Sequence, residues 1–285
     1  LGWPASAEAT AGKPEESYFS QFWGIKEKPN ALQVAGKDNL RQQSAMWQAM
    51  LMSAGLPNSK QIIILGFITI EGQKMSKSLG NIADPLEILT KLKSKGLSDS
   101  QATDALRYYL IGEIPVFEDG DYAWEKFEEN YNASLANGLG NLFERVFTMI
   151  LTNPDKINLT TSEVVNIDKN VKEWVTETEL NYKNEMENYR LLEASRTIFG
   201  FVKKLDKYIN EKEPWKLNRQ PTTNNQQLTT ILSSLFYGAE KIAGWIEPFM
   251  PQKSKEVKNY IDRIKKGEVD KTERLNLFPR INPSL

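Results

Sequence analysis

Between Ala31 and Leu65 the sequence changes character three times, in an order that few folds accommodate. Ala31–Ala35 is a short, mostly apolar run, and Gly36-Lys37-Asp38 comes next as a turn, with Asp38 placed to cap a helix. Leu40 to Ala54 then has helical spacing and is stopped by Gly55 and Pro57. Ile62–Leu65 is a second run, rich in β-branched residues. Strand, helix and strand with short connections make one βαβ unit, which favours a parallel sheet. Ligands of such sheets sit at the carboxyl ends of the strands, so Gly36–Asp38 stands where a ligand is expected. A parallel sheet of two or three strands leaves its edges bare, and the pattern therefore reads as the tail of a larger α/β unit. The chain opens on Leu1, not Met, and also reads as the later portion of a longer protein.

Beyond Ile70 the chain reads as helical, apart from one loop. Asp84 is an N-cap with Pro85 at the first helical position, and that helix ends at Gly96. Ser98 and Gln101 form a capping box for a helix through Ala105, Leu106, Tyr109 and Leu110. Trp124–Leu151 reads as one long helix with Leu135, Leu139, Leu142, Val146 and Met149 on one face. Helical spacing returns in Asn170–Leu191, in Glu193–Ile209 and in Leu228–Ile246, with Gln220–Gln227 as a surface loop. Leu1–Asn30 reads as irregular. The fold class is thus α/β plus all-α: a remnant of a parallel, Rossmann-like nucleotide-binding sheet over 1–83, a helical connector over 84–120 and a helix bundle over 121–285.

The chemistry open to this chain is narrow, because its 285 residues include no histidine and no cysteine. That removes disulfides, zinc sites built on those residues, thiolate nucleophiles and imidazole acid–base catalysis. With 36 basic and 37 acidic residues the chain is not a uniformly basic nucleic-acid coat, although a local basic patch remains open. The longest apolar stretch, Ile62–Ile70, is too short to span a membrane, and no secretory leader opens the chain; the cytoplasm is the expected compartment.

The sharpest signal is Lys74-Met75-Ser76-Lys77-Ser78-Leu79-Gly80-Asn81. Two ammonium groups three residues apart on a polar, glycine-bounded loop suit a polyphosphate. A lysine pair of this kind alone is more often a solvated turn, but the whole string is far more specific. Lys74–Ser78 matches the KMSKS signature of class I aminoacyl-tRNA synthetases. The flanking segments, Gly36–Arg41, Gly66–Thr69, Asp104–Leu110, Asn132–Asn137, Leu139–Leu142, Pro214-Trp215 and Leu277–Ile281, resemble the methionyl-tRNA synthetase family in the right order and cover essentially the whole chain.

That resemblance implies ATP, accompanied by Mg2+, methionine and a methionine-specific tRNA as partners, with no zinc in this portion. It implies that Lys77, helped by Lys74, holds the ATP phosphates as the methionine carboxylate attacks, with Met75, Ser76 and Ser78 in the same loop. A carboxylate is already a nucleophile, so the reaction is positioning plus charge stabilisation and needs no histidine in this segment. Gly36 and Asp38 would line the ATP pocket, and Asn39 and Gln43 would flank the methionine side chain, where many members carry an aliphatic residue and a histidine. Asn141, Arg145 and Trp215 would meet the anticodon, by amide and guanidinium readout and by indole stacking. From the residues alone, Trp215 could equally anchor a domain edge, Asn141 and Arg145 could be a solvated helix face, and Gly36–Arg41 could be a capped helix start without a ligand. Asp119-Gly120-Asp121 reads as a turn in preference to a metal pair. The family's other signature, His-Ile-Gly-His, is absent, so the chain is expected to be inactive in adenylate formation alone. A non-enzymatic tRNA-binding module, or a sibling class I synthetase for another apolar amino acid, are the competing readings.

Overall fold

The computed structural model describes residues 18–70, 72–76, 80–156, 166–217 and 225–282. The segment expected to be irregular contains regular structure: α1 (Tyr18–Trp23) leads into a small antiparallel pair, β1 (Gly24–Ile25) with β2 (Lys28–Pro29). Gly24 makes this turn feasible. Its φ is +93°, and a Cβ there would lie 2.5 Å from backbone atoms of Lys28 and Asn30. Trp23 pins the segment by donating its indole N–H to the Pro57 carbonyl at 2.8 Å.

The parallel pair forms as expected. β3 (Leu32–Gly36) and β4 (Gln61–Leu65) run in register from Leu32 opposite Gln61 to Gly36 opposite Leu65. The crossover is less regular than its spacing suggests: a 3-10 turn over Lys37–Asn39, a wide-wound (π-type) turn over Gln42–Met46, then α2 (Trp47–Ser53). Asp38 does not cap this helix. The cap position is Gly36, in extended backbone with no side-chain cap bond, because the turn begins directly after the strand. Only Leu51 of the crossover is buried, while Met46, Met50 and Met52 are exposed, as are Leu32 and Val34 on β3.

The described chain falls into two compact units, Leu1–Ile68 with Phe117–Gly120, and Thr69–Val116 with Asp121–Leu285. A three-stranded sheet has β5 (Ile68–Ile70) at its centre between β6 (Gln73–Lys74) and β7 (Gly120–Tyr122). All remaining elements are helical: α3 (Pro85–Ser94), α4 (Asp99–Gly112), α5 (Trp124–Asn130), α6 (Asn141–Leu151), α7 (Lys169–Glu187), α8 (Leu191–Lys212), α9 (Pro214–Leu217), α10 (Asn225–Trp245) and α11 (Pro251–Lys265). The architecture is mixed α/β, with small sheets and many helices.

Local signals are realised atom by atom. The Asp84 carboxylate accepts the Leu86 N–H at 2.8 Å, and Ser98 and Gln101 close a reciprocal capping box. The expected apolar stripes form the core: Leu135, Leu139, Leu142 and Val146, Ile198, Val202, Leu205 and Ile209, and Leu232, Leu235, Ala239, Ile242 and Ile246 are all buried, and only Met149, at the far end of the first stripe, is half-buried. Three departures stand out. The long helix Trp124–Leu151 is continuous but wide-wound across Tyr131–Gly140. The expected loop at Gln220–Gln227 is already helical from Asn225, with 218–224 outside the described residues. Helix α11 has no counterpart in the sequence reading, because charged residues dilute its buried stripe of Val257, Tyr260, Ile261 and Ile264.

Asp104 ties α4 to α11. Its side chain is wholly buried, and one oxygen accepts the Lys253 N–H at 2.7 Å near the start of α11. Desolvation raises its pKa above the ordinary 3.8, against the opposing pull of the backbone N–H groups of Lys253 and Gln252. A carboxyl whose pKa is raised by folding contributes stability that is lost as pH rises through that raised value. Asp104→Asn keeps an acceptor for Lys253 and removes this component. The gap in melting temperature should therefore shift in favour of the variant as pH rises above 3.8. Parallel pH profiles for the two proteins would contradict the assignment.

Candidate functional site

The signature loop is built on a hairpin. Lys74 lies at the end of β6, opposite Thr69 of β5. The turn between the two strands is fastened by Asp121, whose carboxylate accepts the Gly72 N–H at 2.8 Å and the Thr69 hydroxyl at 2.9 Å. The Gly72 N–H, more than the hydroxyl and the Lys126 ammonium, holds the Asp121 carboxyl below its usual range. Beyond Lys74 the chain leaves the sheet. Asn81 joins its two arms, its side-chain carbonyl accepting the Ser76 N–H at 2.9 Å and its amide donating to the Lys74 carbonyl at 3.2 Å. Lys74 is exposed, and Met75 and Ser76 are half-buried. Lys77 and Ser78 lie outside the described residues. Asn81 and Asp121 had no assigned role in the sequence, and their hydrogen bonds now supply one: they hold the stem from which the loop springs.

A second group sits at the carboxyl ends of β3 and β4. Gly36, Asp38 and Asn39 fall within one turn, with Gln43 one helical turn further on. Asp38 and Asn39 are exposed and Gln43 is half-buried. A Cβ on Gly36 would come within 2.9 Å of the Asp38 carboxylate, so glycine here lets the acid fold back over the strand end. Asn39 donates to that carboxylate at 3.3 Å. Neighbouring Lys37 is held by Asp119 at 2.5 Å and lies 4.5 Å from the Phe67 ring centroid. Asp119 also accepts the Phe67 N–H at 2.9 Å. The Lys37 ammonium, followed by that N–H, lowers the Asp119 pKa. The two acids of Asp119-Gly120-Asp121 thus serve different tethers.

The third group lies among the helices. Asn141 and Arg145 are one turn apart on α6, and their side chains part company. Asn141 is exposed and lines a groove of about 460 Å3 with Asn137, Glu144 and the segment Leu275–Arg280. Arg145 is half-buried and reaches across to α8. Its guanidinium donates to the Asp206 carboxylate and, at 2.8 Å, to the side-chain Oδ1 of Asn210, while the Asn210 side-chain amide donates back to Asp206 at 3.3 Å. Two turns later α8 ends at Glu213, held in the left-handed region at φ 43° and ψ 55°. That reversal launches Pro214-Trp215 into the short helix α9, which Pro214 opens rather than terminates. Pro214 is buried, and Trp215 is 45% exposed. The structure therefore brings Arg145 to the end of α8 that precedes Trp215. Asp206 and Asn210, absent from the sequence reading, hold it there.

The chain matches the family model described as tRNA synthetases class I (M) over residues 4–147. The chain belongs to this family of class I tRNA synthetases. It is 35% identical over 242 residues to the methionine–tRNA ligase of Thermotoga maritima, a match covering 85% of this chain and 36% of that protein. The methionine–tRNA ligase of Fusobacterium nucleatum is 31% identical, with 94% and 42% covered. Among solved structures, a Mycobacterium tuberculosis methionyl-tRNA synthetase in complex with methionyl-adenylate superposes with a TM-score of 0.78 at 26% identity, over 96% of this chain and 54% of that one. This class I synthetase chain spans less than half the length of these two curated relatives. Among its described residues, no helix is long and apolar enough to cross a membrane.

Proposed function

We propose that this chain carries the phosphate-binding loop and the RNA-reading end of a methionine–tRNA ligase. The observation that carries the reading is the Arg145 network near the end of α8, together with an aromatic side chain left exposed at Trp215 on the short helix that follows. A fixed guanidinium and a free indole face are what recognition of splayed loop bases requires. Asn141, at the start of α6 and one turn before Arg145, adds an exposed amide whose donors and acceptor have no partner among the described residues. The Rossmann-like remnant (1–83), the connector (84–120) and the anticodon bundle (121–285) are the domains of this reading, and the cytoplasm is its compartment.

In the whole ligase the methionine carboxylate attacks the α-phosphorus of ATP and pyrophosphate leaves; the adenylate then passes its methionyl group to the tRNA 3′ end and AMP leaves. Mg2+ enters with ATP, as part of the substrate. Lys74 and Lys77 track the negative charge that grows on the departing phosphates, and Asn81 holds Lys74 and Ser76 at the stem. Gly36 and Asp38 border the nucleotide, and Asn39 and Gln43 border the methionine side chain.

The family's His-Ile-Gly-His signature has no counterpart in a chain without histidine. Incubated alone with methionine, ATP and labelled pyrophosphate, this 285-residue chain should give no exchange above background. Robust exchange would overturn that part of the reading. The RNA part is tested by titrating the chain with an anticodon stem-loop carrying CAU and with one carrying a changed anticodon, at one salt concentration. A preference for CAU of about 2–4 kcal/mol is expected. Equal affinities would reduce the helical unit to a phosphate sensor.

A further inference from the structure

One face of α8 remains unused by the sites above. Arg196, Lys203 and Lys207 are seven and four residues apart, which places them within about 40° of one another around the helix and along about 16 Å of its axis. All three are exposed. Among the described residues neither the Arg196 nor the Lys203 side chain has a salt bridge or hydrogen bond, and the Lys207 side chain meets only Glu211, at 3.5 Å between two exposed side chains.

This stripe borders two adjoining clefts, of about 420 and 440 Å3, which share Gly138, Val202 and Lys203. Their opposite wall is the wide-wound segment Tyr131–Gly140, low in bulk where Gly138 faces Lys203 across the cleft. At Gly200 a Cβ would meet no atom within 4 Å, so the trough stays open on the α8 side. The floor of the first cleft is polar. The Tyr108 hydroxyl donates to Glu113, while Ser195 Oγ and Asn130 Oδ1 are buried with no hydrogen-bond partner among the described residues. The second cleft runs on to Asn210, the residue that holds Arg145. The acids along the way are already engaged: Glu113 by Tyr108, Asp206 by Arg145 and Glu211 by Lys207.

We propose that this trough takes the sugar–phosphate backbone of an RNA strand, with phosphates on Arg196, Lys203 and Lys207. Three exposed cations at the rim, two of them without a side-chain partner among the described residues, and a floor with a spare hydroxyl and a spare amide oxygen suit phosphates and ribose hydroxyls together, and the second cleft leads to the Arg145 network. The proposal rests on the RNA-reading function above and adds a contact that carries no sequence information: phosphate contacts position a partner, and base contacts specify it.

The test uses the full chain, the double variant Arg196→Ala/Lys203→Ala, and Lys266→Ala as a control for lost charge. Each is titrated over a salt series with two tRNA transcripts, one carrying CAU and one a changed anticodon. The double variant should bind both transcripts more weakly by the same factor, and its slope of log affinity against log salt should flatten by about 2, one for each lost phosphate contact. The preference for CAU should be unchanged, and so should the melting temperature, since neither side chain is buried or bonded. Lys266→Ala should keep the wild-type slope. A double variant with the wild-type slope on both transcripts would overturn the proposal, as would displacement of the transcript by millimolar AMP, which would mark a mononucleotide cleft. If the wild type does not prefer CAU but the double variant still loses slope, the base-reading function fails and the backbone trough stands.

Discussion

Trp215→Ala should weaken binding of a CAU anticodon stem-loop by about 1–3 kcal/mol, the usual worth of one base stacked on an aromatic ring, or about 5- to 150-fold. The loss should be specific. Trp215 is 45% exposed, so its removal leaves little cavity, and buried Pro214 keeps α9 in place. The melting temperature of the variant should therefore stay close to wild type while affinity falls. A stem-loop with a changed anticodon should lose much less, because stacking without the flanking readout by Asn141 and Arg145 adds little. Trp215→Phe, which keeps a smaller π-face, should recover part of the loss. A Trp215→Ala protein that melts much earlier but binds as before would assign the indole to packing. Glu213 sets the direction of this side chain: a left-handed glutamate directly before proline is costly, since neither its own Cβ nor the next residue's ring favours that conformation.

The legibility of each feature in the sequence depends on the distance over which it is encoded. The Asp84 cap and the Ser98–Gln101 box span two and three residues, and their side chains do what their positions say. The parallel pair was legible because β-branched runs and the glycine stop at Gly55 are local. Asp38 was misplaced as a cap because one residue of offset at a strand end depends on how β3 pairs with β4. The widened turn at Tyr131–Gly140 leaves the apolar spacing on either side nearly intact, so periodicity alone runs straight through it. The tethers were invisible for another reason. Lys37 meets Asp119 from 82 residues away, and Arg145 meets Asp206 from 61 residues away. No local pattern encodes such pairs; nor does one show that Asp119-Gly120-Asp121, which reads as a turn, enters the strand β7 at Gly120, because that strand exists only by pairing with β5 from about 50 residues away. The site residues named from resemblance came as isolated letters; the network that gives Arg145 a fixed direction needed the fold.

The largest stability effect is expected at Lys95. It stands just past the last turn of α3, and its ammonium meets the Glu128 carboxylate of α5 at 2.5 Å, with side-chain exposures of only 17% and 9%. The same ammonium donates to the Asn282 carbonyl at 2.8 Å, which fastens the C-terminal segment to α3. That segment is also held by the Tyr131 hydroxyl on the Pro279 carbonyl, by Asn132 on Ile281 and by Gln101 on Asn276 and Leu277. Lys95→Met fills the volume but leaves a carboxylate nine-tenths buried without its cation, a change that costs about 3–5 kcal/mol. For a unit of this size that is about 6–20 °C in melting temperature, and a large share of a typical folding free energy. Glu128→Gln, paired with Lys95→Met, removes the stranded charge and should restore most of the loss, whereas two exposed partners would lose less than about 1 kcal/mol and show no such recovery. Urea unfolding of the two single variants and the double variant decides between these outcomes. Limited proteolysis adds an independent readout: if Lys95 fastens the C-terminal segment, Lys95→Met should be cut after Arg280 well before the rest of the chain unfolds, and the double variant should be cut there as quickly, because the bond to Asn282 is lost in both.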